Sequence, residues 1–408
     1  MSPAVYVQTN DATGNEVIAF SRTEAGALAP QGRYPTGGRG TGAPHLASAG
    51  SVTLSDDGRW LLVVNAGSDE LSLFAVQPDG LRLADRAGSG GSKPTSVAVS
   101  GALVYVLNNG TPNISGFRLA DGKLAALPNS TRPLSSADAD PAQVSFTSDG
   151  TLLIVTERGT NTISSYLIDE RGHAQGPATV KSSGQTPYGF GLTADGSLIV
   201  SEAFGGATGA AATSSYAVSG AGELTMVSGS VGNTRSEVCW VALTKDDRFA
   251  YVTNFGDGTV SCYEITADRS LRLHEPVAGS NRQGEKGLRD EAISADGRYL
   301  YAIHADAQKL CGWAVGQDGQ LTPPASSKGA RHRCRTGRQL IEIEFPTRIK
   351  SDSSRSRRQF APHLPDQFMA VDSISCRGAG QIEHALGCRD TGAAKDVLQT
   401  ESCLLKRR

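Results

Sequence analysis

One short pattern recurs along this chain and constrains its fold more than any other feature. Residues 55–65 and 294–304 share a frame in which Ser is followed by an Asp-Gly turn, a strongly apolar run and a final polar residue. Variants of the frame, beginning with Thr, return at 147–157, 193–202 and 244–254. Apolar runs with a period of two that are bounded by Asp-Gly pairs are typical of β-hairpins. The pattern therefore predicts a chain built from repeated strands and tight turns.

The repeat occurs seven times, about every 49 residues, and each copy contains strand-like segments separated by turns. The residue closing the second strand of each copy is polar: Asn10, Asn65, Asn108, Glu157, Glu202, Asn254 and His304. Four strands per repeat at this period are typical of propeller blades. We predict an all-β domain over residues 1–324, a seven-bladed β-propeller of four-stranded antiparallel blades, without a helix longer than two turns. Strands should bracket the Asp-Gly turns at 57–58, 149–150, 195–196 and 296–297.

The repeat stops near residue 324, and a basic tail follows. Residues 325–408 contain 16 basic and 9 acidic side chains, with a Ser/Arg-rich run at 351–358. Such a segment cannot bury enough apolar surface to offset its ordering entropy, so we expect it to be mostly disordered and cleaved early by trypsin. It could bind nucleic acid or an acidic surface, but we favour a sequence unrelated to the fold, such as a reading-frame change.

The first blade lacks a preceding innermost strand, and in closed propellers the C-terminus commonly fills that gap. Residues 340–345 form the only alternating run available in the tail. This run is therefore the candidate for closing the first blade; if it does not pair there, the first blade should remain a three-stranded edge.

The composition excludes several functional classes. Residues 1–324 carry 23 basic and 32 acidic side chains, so the predicted propeller lacks the basic surface of a nucleic-acid-binding protein. No apolar run approaches the roughly 18–20 residues that cross a bilayer, and the N-terminus shows no secretory pattern. The seven cysteines show no zinc spacing. We expect a cytoplasmic monomer without metal or cofactor, whose partner is a small-molecule lactone or related ligand.

Several runs resemble one known family. Residues 251–254, 156–163, 201–206 and 239–242 read Tyr-Val-Thr-Asn, Thr-Glu-Arg-Gly-Thr-Asn-Thr-Ile, Ser-Glu-Ala-Phe-Gly-Gly and Cys-Trp-Val-Ala. They resemble the seven-bladed β-propeller lactonases, which include propeller-type 6-phosphogluconolactonases and fungal carboxymuconate cyclases. The resemblance covers residues 4 to about 323 and implies the propeller fold and the hydrolysis of a small lactone.

In a propeller, the ends of the second strands and the loops leading into the innermost strands open on the axial channel, the default ligand site. Lactone hydrolysis needs a base that activates water and a donor or cation that holds the developing oxyanion. We predict these roles for polar residues of that face: Glu202 and Glu157 as catalytic bases, His304 as the alternative base, Arg235, Arg289 and Arg158 as anion clamps, and Asn65, Asn108, Asn254 and Tyr188 as further substrate-binding residues. The loops also carry Asp138, Asp140, Gln143 and Glu237.

These assignments have structural alternatives. Asn at a strand end often caps a turn with its own side chain, and each Glu could pair with a neighbouring Arg. In addition, the basic pair that the phosphogluconolactonases carry at two inner strands is replaced here by 141–143 and 187–190, which read Pro-Ala-Gln and Pro-Tyr-Gly-Phe. This difference weakens 6-phosphogluconolactone as the substrate and favours a neutral lactone. A propeller that binds a small ligand or a protein partner without turnover stays the alternative function.

Overall fold

The computed structural model describes residues 4–43, 46, 50–281, 286–304 and 309–324, and two further strands at 340–342 and 373–375. Its described part contains thirty strands in seven antiparallel sheets and one short 3-10 helix, Phe204–Gly206. The prediction of an all-β, seven-bladed propeller is confirmed. No described helix combines the length and the apolar character that a bilayer crossing would need.

Blades one to three contain twelve strands: β1 (Ala4–Gln8), β2 (Glu16–Arg22), β3 (Leu28–Pro35), β4 (Val52–Leu54), β5 (Trp60–Asn65), β6 (Glu70–Gln77), β7 (Gly80–Gly88), β8 (Pro94–Ser100), β9 (Leu103–Asn108), β10 (Asn113–Ala120), β11 (Lys123–Ala126) and β12 (Arg132–Pro133). Blades four and five contain eight: β13 (Pro141–Phe146), β14 (Leu152–Glu157), β15 (Thr162–Ile168), β16 (Ala174–Lys181), β17 (Pro187–Leu192), β18 (Leu198–Glu202), β19 (Ala212–Val218) and β20 (Leu224–Gly232).

Blades six and seven and the two late strands complete the ring: β21 (Ala242–Leu243), β22 (Phe249–Asn254), β23 (Thr259–Ile265), β24 (Leu271–Ser280), β25 (Leu288–Ile293), β26 (Tyr299–His304), β27 (Lys309–Val315), β28 (Leu321–Thr322), β29 (Leu340–Glu342) and β30 (Ser373–Ser375). Within each blade, consecutive strands pair from the innermost to the outermost.

The Asp-Gly turns connect the innermost strand of a blade to the second strand, as predicted. In the seventh blade, the Ser294 hydroxyl donates to Asp296 Oδ1 at 2.6 Å, and the Arg298 amide donates to the same oxygen at 3.2 Å. Gly297 has φ +74°, the left-handed conformation that glycine adopts without a steric penalty. The Ser-x-Asp-Gly sequence therefore carries both the side-chain acceptor and the backbone freedom that this turn requires.

Tyrosines of the second strands tie neighbouring blades together. Tyr105, Tyr251 and Tyr301 donate their hydroxyls to glycine carbonyls in the next blade, at 2.9, 2.9 and 2.7 Å respectively. For Tyr301 of the seventh blade, the acceptor is Gly26 of the first blade. The last blade is therefore held to the first by the same bond that joins blades elsewhere in the ring.

An ion pair strengthens the same junction. Arg22 Nη2 lies 2.7 Å from Asp296 Oδ2, and the Arg22 side chain is almost completely buried. Burial alone would raise the pKa of Asp296, but hydrogen bonds from Ser294, Arg22 and Arg298 hold it well below its usual range. A carboxylate with a depressed pKa stabilises the fold above its unfolded pKa and loses that contribution as the pH falls.

The segment predicted to close the first blade does something else. β29 pairs with β27 on the outer side of the seventh blade, with Leu340 opposite Cys311. The short β28 covers only Ala314 and Val315 of β27, so the rest of that edge is open to β29. The innermost place of the first blade is taken by β30, which pairs with β1. The first blade is therefore closed by a strand of the tail, but this strand is β30 and not the candidate run at 340–345.

The remaining tail residues, including the run at 351–358 for which we predicted disorder and trypsin cleavage, lie outside the described residues.

We predict that Tyr105→Phe, Tyr251→Phe and Tyr301→Phe each lower the free energy of unfolding by about 1–3 kcal/mol, because each change leaves a buried carbonyl without its donor. Urea unfolding followed by tryptophan fluorescence measures the three variants side by side. If Tyr301→Phe is neutral while the other two destabilise the protein, the junction between the last and first blades is not held by this bond.

Candidate functional site

The strand register places two groups of residues at the same end of the blades. Pro141 lies opposite Glu157, Pro187 opposite Glu202, and Val238 opposite Asn254. Residues that precede an innermost strand or follow a second strand therefore surround one end of the axial channel. We call this group the channel mouth; it comprises Lys93, Asn109, Asp138, Asp140, Arg158, Thr186, Glu237, Phe255 and Lys286.

Glu157, which ends a second strand, points into its own blade. The residue is fully buried. Its carboxylate accepts hydrogen bonds from Thr160 Oγ1 at 2.9 Å and Ser164 Oγ at 2.6 Å, and from the amide and hydroxyl of Ser135. Charge-assisted hydrogen bonds of this kind compensate the burial of a carboxylate.

Glu202 repeats this arrangement in the fifth blade. It is also fully buried. The Gly184 amide, the Ser214 hydroxyl and the Ser230 hydroxyl each donate to its carboxylate at 2.7 Å, and the Ser182 hydroxyl donates at 3.1 Å. A base must reach both water and substrate, and neither buried carboxylate is accessible to them. The geometry therefore favours a structural role for Glu157 and Glu202.

The side chains of the strand-ending asparagines also form hydrogen bonds within the fold. Asn65 Nδ2 donates to Ser72 Oγ at 2.8 Å, and Asn254 Nδ2 donates to Ser261 Oγ at 2.9 Å. The serine stands seven residues after the strand-ending residue in both blades, and also after Glu157. Asn108 donates to Ser89 O and Asn113 Oδ1. All three asparagines are fully buried, so the turn-capping alternative describes them better than substrate binding does.

The structure brings two of the predicted residues together at the mouth. The Arg158 guanidinium lies over the Tyr188 ring, 4.7 Å from its centroid, and its Nη2 is 2.8 Å from Asp140 Oδ1. Asn109 Nδ2 donates to the same carboxylate oxygen at 3.0 Å. Tyr188 in turn contacts Trp240, with 5.6 Å between ring centroids. Arg158 is thus fixed by a carboxylate and an aromatic face from adjacent blades.

The other predicted residues lie apart from this pair. Arg289 is fully buried, with its guanidinium 5.0 Å from the centroid of the Phe255 ring. Arg235 Nη1 lies 3.8 Å from Asp257 Oδ2. His304 is buried at the end of β26, where its Nε2 lies 2.7 Å from the Lys286 carbonyl oxygen.

Glu237 is one of the loop carboxylates for which the sequence predicted no catalytic role. It is half-buried, directly before an inner-strand position, and has φ +56°. Burial raises the pKa of its carboxyl, the Lys286 ammonium lowers it and the Asp257 charge raises it further, so the net shift is upward. A Cβ added at Gly206 or Gly256 would lie 3.1 or 3.2 Å from one of its oxygens. The two glycines therefore leave space beside a carboxyl of raised pKa.

Among the described residues, no three His, Cys, Asp or Glu side chains converge as metal ligands.

The sequence matches the family described as "Lactonase, 7-bladed beta-propeller" in three stretches, residues 13–137, 125–204 and 201–336. Together these stretches span well over half of the chain. The chain belongs to this lactonase family. No curated protein matches its sequence closely enough to be called a relative.

Solved structures share the fold of this lactonase-family chain. The periplasmic gluconolactonase of Pseudomonas aeruginosa is 19% identical, with a TM-score of 0.60 over 84% of this chain and 100% of that one. A protein of Bacteroides uniformis, provisionally named a 6-phosphogluconolactonase, is 18% identical, with a TM-score of 0.63 over 78% of this chain and 94% of that one. A Desulfotomaculum acetoxidans protein of unknown function is 12% identical, with a TM-score of 0.61. At these identities, the likeness shows the fold alone.

We predict that Glu202→Gln lowers the free energy of unfolding of this lactonase-family propeller by about 1–3 kcal/mol. The side-chain NH2 group of the variant would face hydrogen-bond donors that now bond to a carboxylate oxygen, so these hydrogen bonds would be lost. The exposed Glu223 on the outside of the same blade provides the matched control, and Glu223→Gln should be neutral. Urea unfolding measures both variants. A Glu202→Gln variant of unchanged stability would contradict the structural role.

Proposed function

We propose that this protein is a lactone hydrolase whose reaction takes place at the channel mouth, with Glu237 as the general base. The observation that carries the proposal is the half-buried Glu237 carboxyl with its raised pKa. A general base works best when its pKa lies near the working pH, and burial moves Glu237 in that direction. Membership of the lactonase family supports a lactone as the substrate.

In the proposed reaction, Glu237 takes a proton from water while the water oxygen bonds to the lactone carbonyl carbon. The carbonyl oxygen becomes the oxyanion of a tetrahedral intermediate. When this intermediate collapses, the bond between the carbonyl carbon and the ring oxygen breaks, and the ring oxygen takes up the proton. The product is an open-chain hydroxy acid.

Lys286 is the candidate for stabilising the oxyanion, because its ammonium interacts electrostatically with Glu237 and its side chain is exposed. His304, predicted as an alternative base, holds the Lys286 carbonyl oxygen at 2.7 Å. We therefore infer that His304 is a positioning residue that fixes the backbone carrying Lys286. Arg158 is held by Asp140 and Tyr188, and its role at the mouth is to fix the position of the Asp140 carboxylate.

We predict that Glu237→Gln lowers kcat by about 100-fold or more, the scale expected for the loss of a general base. In the wild-type protein, kcat/KM should fall as the pH drops through the pKa of Glu237, because only the ionised carboxylate accepts the proton. Burial places that pKa above the usual value of about 4.3. The variant should lose this acidic limb. Initial rates on a panel of sugar lactones, followed by pH-stat with the spontaneous rate subtracted, provide the measurement.

Glu223→Gln is again the control and should keep the wild-type rate and pH profile. A Glu237→Gln variant with normal turnover would exclude this base. If the wild-type protein bound lactones but hydrolysed none of them, the non-catalytic propeller would replace the hydrolase.

The cytoplasmic location and the monomeric state stay predictions from the sequence. Fractionation of the native host and light scattering of the purified chain test them.

A further inference from the structure

In five described blades, a residue in the left-handed conformation directly precedes the innermost strand. Gly287 occupies this place in the seventh blade, with φ +91°. In blades three to six, the same place holds Lys93, Asp140, Thr186 and Glu237, with φ between +41° and +57°. The conformation recurs whether or not the residue has a side chain, so the backbone demands it.

Backbone hydrogen bonds explain this demand. The carbonyls of Lys93, Asp140, Thr186 and Glu237 accept the amides of Asn109, Arg158, Ala203 and Phe255, at distances between 2.9 and 3.1 Å. Side-chain acceptors hold two of the amides in place, because the Lys93 amide donates to Asp69 Oδ1 and the Thr186 amide donates to Asn161 Oδ1, each at 2.7 Å.

Glycine adopts this conformation without strain, whereas a residue with a Cβ does not. Strained residues cluster where a side chain is needed for function. Four consecutive blades keep a polar side chain at a place where the seventh blade uses glycine. The strand register places all four residues at the same end of the blades.

Two of the four have partners that also fit a structural role. Asp140 pairs with Arg158, and Thr186 Oγ1 accepts the Gly205 amide at 3.0 Å. Lys93 is different, since its exposed ammonium has no hydrogen bond or ion pair among the described residues. A partner within the fold therefore does not account for the strain at Lys93.

The charges of this end of the channel favour an uncharged ligand. The three predicted anion clamps already interact with other residues of the fold. Arg158 pairs with Asp140, Arg235 lies near Asp257, and the buried Arg289 guanidinium lies over the Phe255 ring. The ammonium groups of Lys93 and Lys286 share the mouth with the carboxyl groups of Asp138 and Glu237. These two ammonium groups and two carboxyl groups offset one another, so the mouth offers a phosphate dianion no net attraction.

We propose that Lys93, Asp140, Thr186 and Glu237 form the substrate-recognition ring of the mouth, and that its ligand is an uncharged polyhydroxylated lactone rather than the phosphate ester of one. Hydroxyl groups of such a ligand can donate to Asp140 and Glu237 and accept from Lys93. This inference rests on the proposed hydrolase function for its substrate, but the ring itself is testable by binding alone.

The test uses Lys93→Gly in the full chain, with Asp121→Gly as the matched control. Asp121 is also exposed and left-handed, with φ +51°, but lies in the outer β10–β11 turn. Both changes relieve the same backbone strain, so both variants should keep or slightly raise the Tm. Only Lys93→Gly should weaken binding of D-glucono-δ-lactam, a non-hydrolysable lactone analogue, by about tenfold. Isothermal titration calorimetry gives the Kd, and turnover of gluconolactone should show a matching rise in KM.

The second arm compares gluconolactone with 6-phosphogluconolactone in the wild-type protein. We expect kcat/KM to favour the uncharged lactone by about tenfold or more. Preference for the phosphate ester would overturn the ligand class, and unchanged lactam binding by Lys93→Gly would overturn the ring. Lactam binding that depends on Lys93 without turnover of either lactone would instead contradict the proposed hydrolase and leave the ring supported.

Discussion

A propeller depends on the closure of its ring, because an open ring exposes a blade face and a sheet edge that would otherwise be buried. Here the closing contact is the hydrogen bond from Tyr301 to the Gly26 carbonyl, with the Arg22–Asp296 ion pair beside it. The same tyrosine-to-glycine bond joins earlier blades through Tyr105 and Tyr251. These contacts lie among residues of the repeats themselves, and β30 from the tail adds the innermost strand of the first blade beside them. Ring closure fixes the inner strands around the axis, and so fixes the mouth.

The polar residues at this end of the blades form two groups with different roles. The strand-ending residues, such as Glu157, Glu202 and Asn254, are buried. Their side chains form hydrogen bonds with serine hydroxyls of the next strand in the same blade. They satisfy polar groups that would otherwise be unpaired at the blade tip. The residues that directly precede the inner strands belong to the mouth instead. Glu237 belongs to this second group, and its partial burial raises the pKa of its carboxyl.

Much of the fold could be predicted from the sequence, since Asp-Gly turns and alternating runs report local structure directly. The site could be predicted only in part. Period-two alternation shows on which face of a strand Glu202 lies, but not that Ser182, Ser214 and Ser230 converge on it from distant segments. The left-handed conformation of Lys93 and Glu237 could not be predicted, because only glycine signals it in a sequence. The closing strand was missed because β30 has only three residues, too few for a recognisable pattern.

The central claim is that ligands meet the left-handed residues of the mouth and not the buried strand-ending carboxylates. The most direct test is a crystal structure of the full chain with D-glucono-δ-lactam bound. We predict that the lactam lies at the mouth, with the Glu237 carboxylate and the Lys93 ammonium within hydrogen-bonding distance of its polar atoms and the donors to Glu202 in place. A lactam bonded to Glu202 or Glu157, with their serine donors displaced, would contradict this account.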